Sequence, residues 1–152
     1  MSIKQNYKKF WTHYFDFKGI STRREYWTPT LIHLAIFVIA ILILIPTAMM
    51  DAMQHTLALV LWIVLLGALM LFALAIFIPS IAIQVRRLHD INRKGFLVYA
   101  SLVASVVYNF TPDSTVKNII DVISLILSVW VFVYTLLPSK EKHLPLDQMK
   151  WV

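Results

Sequence analysis

The chain contains no cysteine. That excludes a disulfide, a thiolate metal site and a cysteine nucleophile. Charge is also scarce: 14% of the 152 residues are Asp, Glu, Lys or Arg, against about 25% in an ordinary soluble domain. Nor does the N-terminal stretch, MSIKQNYKKFWTHYF, read as a signal peptide. Its charges are mixed with aromatics, and no short apolar core with a small-residue cleavage site follows. What the chain does have is apolar surface, with 59% hydrophobic residues. So few residues cannot hide that much in a single soluble core. The fold class that follows is an all-α membrane protein with lipid as the solvent.

Four apolar runs stand out, at about 27–50, 57–85, 96–110 and 119–137. A helix needs roughly 20 residues to cross about 30 Å of hydrocarbon. The third run is short, and it spans by thinning the bilayer or by leaning on its neighbours. Thirteen of the 14 Lys and Arg residues precede the first run, separate the second from the third, or follow the fourth; the exception is Lys117. Four spans put all thirteen on one side, and the positive-inside rule makes that side the cytoplasm, with both termini there. The expected organisation is an amphipathic interfacial helix over 1–18, a four-helix transmembrane domain over 19–138 and a cytoplasmic tail over 139–152. Net charge is +6. In a soluble protein that would raise nucleic acid as a partner. Here it reads as a topology signal and a contact with anionic phospholipid headgroups.

In the N-terminal stretch Ile3, Tyr7, Phe10, Trp11, Tyr14 and Phe15 share one helical face, with Lys4, Lys8 and Lys9 elsewhere on the wheel. That pattern predicts a helix in the membrane interface, aromatics down. Gly19 is expected to end it. Ser21 or Thr22 then caps the first span, and Glu25 stands at capping-box spacing from Thr22.

Two charged clusters follow, one over 17–27 at the mouth of the first span and one over 85–96 between the second and third. Together they supply Arg23, Arg24, Glu25, Trp27, Gln84, Arg86, Arg87, His89 and Asp90, the candidate binding site for an anion, lipid or partner. Phe17, Gly19, Arg23, Glu25, Tyr26 and Trp27 in the first cluster, and Arg86, Arg87, Leu88, His89, Asp90 and Gly95 in the second, resemble the motifs of the bacterial inner-membrane family known as domain of unknown function 805 (DUF805). The resemblance covers about residues 10–138. It implies a four-helix inner-membrane protein and no established activity. Ile20 stands where the family has an arginine, so a role needing both arginines of the first motif is not carried over. Lys94, Gly95 and Phe96 replace the family's Ser-Gly-Trp.

Arginine offers a planar, permanently charged fork suited to phosphate or carboxylate. Arg86 and Arg87 diverge by about 100° on a helix, so one can face a headgroup while the other faces the bundle. Arg86 and Asp90 are spaced to pair along the helix. Ser80, Gln84 and Arg87 form a polar stripe after Pro79, expected to face the interior, with Glu25 as partner for Arg87. His89 and Asp90 are adjacent and point apart, and no third or fourth ligand converges on them. No metal or other cofactor is therefore expected. His33, roughly 9 Å inside Trp27, is expected to bond a neighbouring helix, and Lys117 to pair with Asp121.

No nucleophile or metal constellation names a reaction. Nor are there the inverted repeats and midplane polar groups of a transporter. The leading expectation is a non-enzymatic module that binds anionic lipid or a partner protein through its arginine clusters. The rival is a small transporter or membrane enzyme acting on an anionic substrate, with His89 and Asp90 handling protons. A homo-oligomer is compatible with both.

Overall fold

Backbone donors and acceptors in hydrocarbon must satisfy one another, and a helix does so within a single segment. The computed structural model describes residues 2–49 and 56–139, with side chains over 2–45 and 59–139. Every regular element among them is helical: α1 (Ile3–Thr12), α2 (Arg23–Met49), α3 (Thr56–Asp90), α4 (Phe96–Phe110) and α5 (Ser114–Leu136). Three helical stretches, Arg23–Ile45, Leu59–Asp90 and Ser114–Leu136, are long and apolar enough to cross a membrane. The 15 residues of α4 rise about 22 Å. The end of the first run at Met50, most of the first connection, and the tail with Lys140, Lys142 and Lys150 lie outside the described residues.

Helix boundaries follow local chemistry more than hydropathy. α1 ends at Thr12 with His13 as its cap, so it is shorter than the expected 1–18, and Gly19 does not terminate it. Gly19 instead belongs to a turn in which Asp16 Oδ1 accepts from the Lys18 and Gly19 amides, both at 3.0 Å. Thr22 and Glu25 form the expected capping box: the Thr22 amide donates to Glu25 Oε2 at 3.0 Å and the Glu25 amide to Thr22 Oγ1 at 3.4 Å. α5 starts at Ser114, ahead of its apolar run, because Asp113 caps it by accepting from the Val116 amide at 2.9 Å. The expected connection over 111–118 shrinks accordingly. Lys117 sits over the Tyr108 ring, 5.4 Å from its centre, rather than against Asp121. α3 ends in a Schellman turn: Asn92 adopts φ 57°, and the Arg93 amide reaches the Leu88 carbonyl at 2.9 Å. The following turn presses on α3, since a Cβ on Gly95 would lie 2.6 Å from Val85 Cγ1.

Packing is concentrated at the charged end of the bundle. Val85, Leu88, Ile91, Val98 and Val131 form one buried cluster, and Phe10, Tyr26, Ile76 and Ile83 another. Towards the other end, α2 and α3 leave Ile41, Leu42, Leu61 and Val64 exposed, as a lipid-facing surface should. α1 lies on α2 and touches α3, while α4 runs along α5. The aromatic face of α1 is therefore turned largely onto the protein: Phe10 is 1% exposed, whereas Ile3 and Phe15 at its margins remain open.

α3 is continuous through Pro79. A proline inside a helix removes the donor owed to the carbonyl four residues earlier, here that of Ala75. Tyr14, from beyond the end of α1, supplies the replacement: its hydroxyl donates to the Ala75 oxygen at 2.8 Å. Tyr14→Phe should therefore cost about 1–3 kcal/mol, the penalty for a buried acceptor left unmade. In a Pro79→Ala background the restored amide should make the same change nearly silent. A double-mutant cycle on melting midpoints checks this, and equal losses in both backgrounds would refute the compensation.

Candidate functional site

The adjacent arginines on the last turn of α3 do opposite jobs. Arg87 is wholly buried, at 0% exposure. Its Nε donates to the Thr135 carbonyl at 3.3 Å, Nη2 donates to the Leu137 carbonyl, and Nη1 donates to Asp90 and to Ser139 Oγ. Ser139 Oγ also donates to Asp90, and Trp27 Nε1 reaches the Thr135 carbonyl at 3.3 Å. The last carbonyls of a helix have no partner within it. Arg87 and Trp27 supply donors to the C-terminal end of α5, and a cation there also suits the helix dipole. The expected pairing of Arg87 with Glu25 is not made; Glu25 bonds Lys9 of α1 at 2.7 Å. The expected Arg86–Asp90 pair is not made either, because Asp90 lies one residue nearer, at i+3, to the more deeply buried Arg87.

Arg86, 5% exposed, turns the other way. Its Nη1 lies 3.9 Å from Asp16 Oδ2, beyond hydrogen-bond reach, and its Nε has no partner. Its backbone carbonyl accepts from the Ser21 amide at 3.1 Å, which ties the 13–22 connector to α3. His89, also buried, brings Nδ1 to 3.3 Å from the Gly19 carbonyl. That bond requires the proton on Nδ1.

Between α1, this connector and α3 lies a cavity of about 240 Å³, lined by Asn6, Lys9, His13, Asp16, Glu25 and Arg86 among others. Asn6, 3% exposed, donates from Nδ2 to Thr28 Oγ1 at 3.3 Å, while its Oδ1 has no partner. A smaller cavity of about 150 Å³ lies deeper, lined by Thr30, His33, Ser80 and Gln84, and Phe10 and Ile83 line both. The stripe of Ser80, Gln84 and Arg87 thus faces inwards as its spacing predicts. His33 is packed between the rings of Phe10 and Phe72 and lies 3.5 Å from the Tyr7 hydroxyl, so its partner is the N-terminal helix.

Of the nine sequence-derived site residues, the structure gathers Glu25 and Arg86 at the larger cavity and Gln84 at the smaller. Trp27, Arg87 and Asp90 converge around the end of α5, and His89 faces the connector. Arg23 and Arg24 are exposed. Sequence reasoning missed Asn6, Lys9 and Asp16. The Asp16–Gly19 turn spacing was a usable signal for Asp16. Asn6 carried a weaker one, a polar residue one position before Tyr7 on a helix otherwise split into aromatics and lysines. Among the described residues no three His, Asp or Glu side chains are grouped to hold a metal ion.

Long apolar helices with most of their buried charged groups gathered at one end define an integral membrane protein. The chain belongs to the family described as protein of unknown function (DUF805), whose pattern matches residues 14–145. It is similar to the inner membrane protein YhaI of Escherichia coli strain K12, 35% identical over 83 residues, or 55% of this chain and 58% of that protein. The YhaI protein of Escherichia coli O157:H7 matches to the same extent. The chain thus spans little more than half the length of these relatives. No solved structure matches it.

Proposed function

We propose that the protein is a non-enzymatic module of a bacterial inner membrane that holds a phosphate-bearing lipid headgroup at its charged end. The observation that carries this reading is Arg86, a buried guanidinium beside a polar cavity with its Nε unpartnered, next to an Arg87 fully spent on protein carbonyls and Asp90. A guanidinium in that state is a ready phosphate ligand. The residues a proton-handling enzyme or transporter would need are committed elsewhere: Asp90 to Arg87 and Ser139, and His89 to the connector. The test is native mass spectrometry from mild detergent. Wild type should retain a discrete phospholipid, and Arg86→Ala should lose it while still melting in one cooperative transition. Equal adducts in both would end the lipid reading and turn the search to a protein partner.

The same proposal places α4 across the membrane as a fourth span, with both termini in the cytoplasm. The charge distribution supports it. Absence of cysteine makes the test clean. Ser114→Cys should react with an impermeant maleimide in intact spheroplasts, and Lys18→Cys only after lysis. Labelling of Lys18→Cys in intact cells would reverse the orientation.

A further inference from the structure

The larger cavity holds both signs of charge. Lys9 and Glu25 pair at 2.7 Å, and Arg86 and Asp16 stand 3.9 Å apart on its wall. A simple anion entering it gains from Lys9 and Arg86 but meets two carboxylates, and like charges at close range cost energy. A simple cation meets the converse. Among the described residues, two of the three buried side-chain atoms without partners belong to residues lining this cavity, and they are of opposite kind. Asn6 Oδ1 accepts, and Arg86 Nε–H donates. Buried polar atoms are almost always satisfied, so each such orphan asks what completes it. A single group that offers both a donor and an acceptor would complete the pair.

Resting on the lipid-headgroup reading above, we propose that this cavity takes a headgroup bearing both a phosphate and a primary amine. The phosphate lies toward Arg86 and Lys9, and the ammonium toward Asp16, Glu25 and Asn6 Oδ1. The ammonium supplies several N–H donors and the phosphate several acceptor oxygens, which matches the orphan pair. Size agrees: about 240 Å³ is room for a small polar headgroup. Place agrees too, because Glu25, Ile83 and Arg86 line the cavity from the charged ends of α2 and α3, whose surfaces farther along are exposed and apolar. Acyl chains can lie there. A free aminoalkyl phosphate shares this chemistry, so the experiment separates the two sources.

The full-length protein is delipidated in detergent and offered equimolar phosphatidylethanolamine, phosphatidylglycerol and phosphatidylcholine, with bound lipid read by native mass spectrometry. Phosphatidylethanolamine should be retained about tenfold over phosphatidylglycerol, the factor for one charge-assisted hydrogen bond made or not made. Phosphatidylcholine, whose quaternary amine cannot donate, should fall with phosphatidylglycerol. Asp16→Asn combined with Glu25→Gln keeps the turn and capping acceptors. It should erase the preference while leaving phospholipid bound, whereas Arg86→Gln should lose all three lipids. Millimolar phosphoethanolamine that raises the melting midpoint without lipid retention would assign the same site to the free phosphate, and lipid retention assigns it to the headgroup. Phosphatidylglycerol held as well as phosphatidylethanolamine, or a preference surviving the double carboxylate change, overturns this inference and leaves the phospholipid reading standing. A wild type that holds no lipid and does not respond to phosphoethanolamine, its cavity filled by water alone, overturns both.

Discussion

Arg87→Ala is expected to lower stability by about 3–5 kcal/mol, the cost of breaking a buried charged pair by removing one member. The substitution leaves the buried Asp90 with Ser139 alone, and strips donors from the Thr135 and Leu137 carbonyls. Arg87→Lys should recover little, because a point charge cannot reach Asp90 and two carbonyls with the geometry of a planar fork. Arg87→Met combined with Asp90→Leu should recover much of the loss, since apolar replacement of both partners leaves no orphan charge. Thermal melting in detergent, followed by the fluorescence of the five tryptophans, reads all three variants. A single Arg87→Ala variant melting with wild type would show that the network contributes no stability. Replacing both adjacent arginines together would confound this collapse with any ligand lost at Arg86.

Phe10→Ala is expected to release the N-terminal helix. Burying a phenylalanine this completely is worth about 3–5 kcal/mol against alanine, and α1 has few other anchors. They include the bonds from Asn6 Nδ2 to Thr28 Oγ1 at 3.3 Å and to the Arg24 carbonyl at 3.5 Å, the Lys9–Glu25 pair at 2.7 Å, the Tyr7–His33 contact at 3.5 Å and the packing of Trp11. Most of the loss should appear as local opening rather than global melting. Trypsin cleavage after Lys8 and Lys9 reports it directly: slow in wild type, rapid in Phe10→Ala, intermediate in Phe10→Leu. Because Phe10 lines both cavities, its removal would also join them into one polar passage from the charged end to His33. Unchanged proteolysis would show that α1 is held by its polar contacts alone.

The parts legible in sequence were those set by one helix at a time. Apolar runs located α2 to α5, the Thr22–Glu25 spacing marked the start of α2, and the inward stripe of Ser80, Gln84 and Arg87 followed from period alone. Pairings across elements were misread for one reason. The i, i+4 rule sees a single helix surface, but Arg86 found its carboxylate in the connector at Asp16, and Arg87 found backbone carbonyls at the far end of α5. Hydropathy placed the start of α5 late because the polar residues from Ser114 to Asn118 are helical by virtue of the Asp113 cap. The amphipathic pattern of α1 was correct as a pattern, but an aromatic face suits lipid and protein equally, and Phe10 chose the protein.

Arg87 waits for its partners. It lies 48 residues before the Thr135 carbonyl that its Nε engages, so a chain made from the N-terminus contains Arg87 well before it contains the end of α5. Until then Asp90 is the only one of these protein partners within reach of the guanidinium. The α2–α3 hairpin is therefore committed to the bilayer with its charged end unfinished. Residues 135–139 complete the network, so a chain ending before them would leave Arg87 with Asp90 alone.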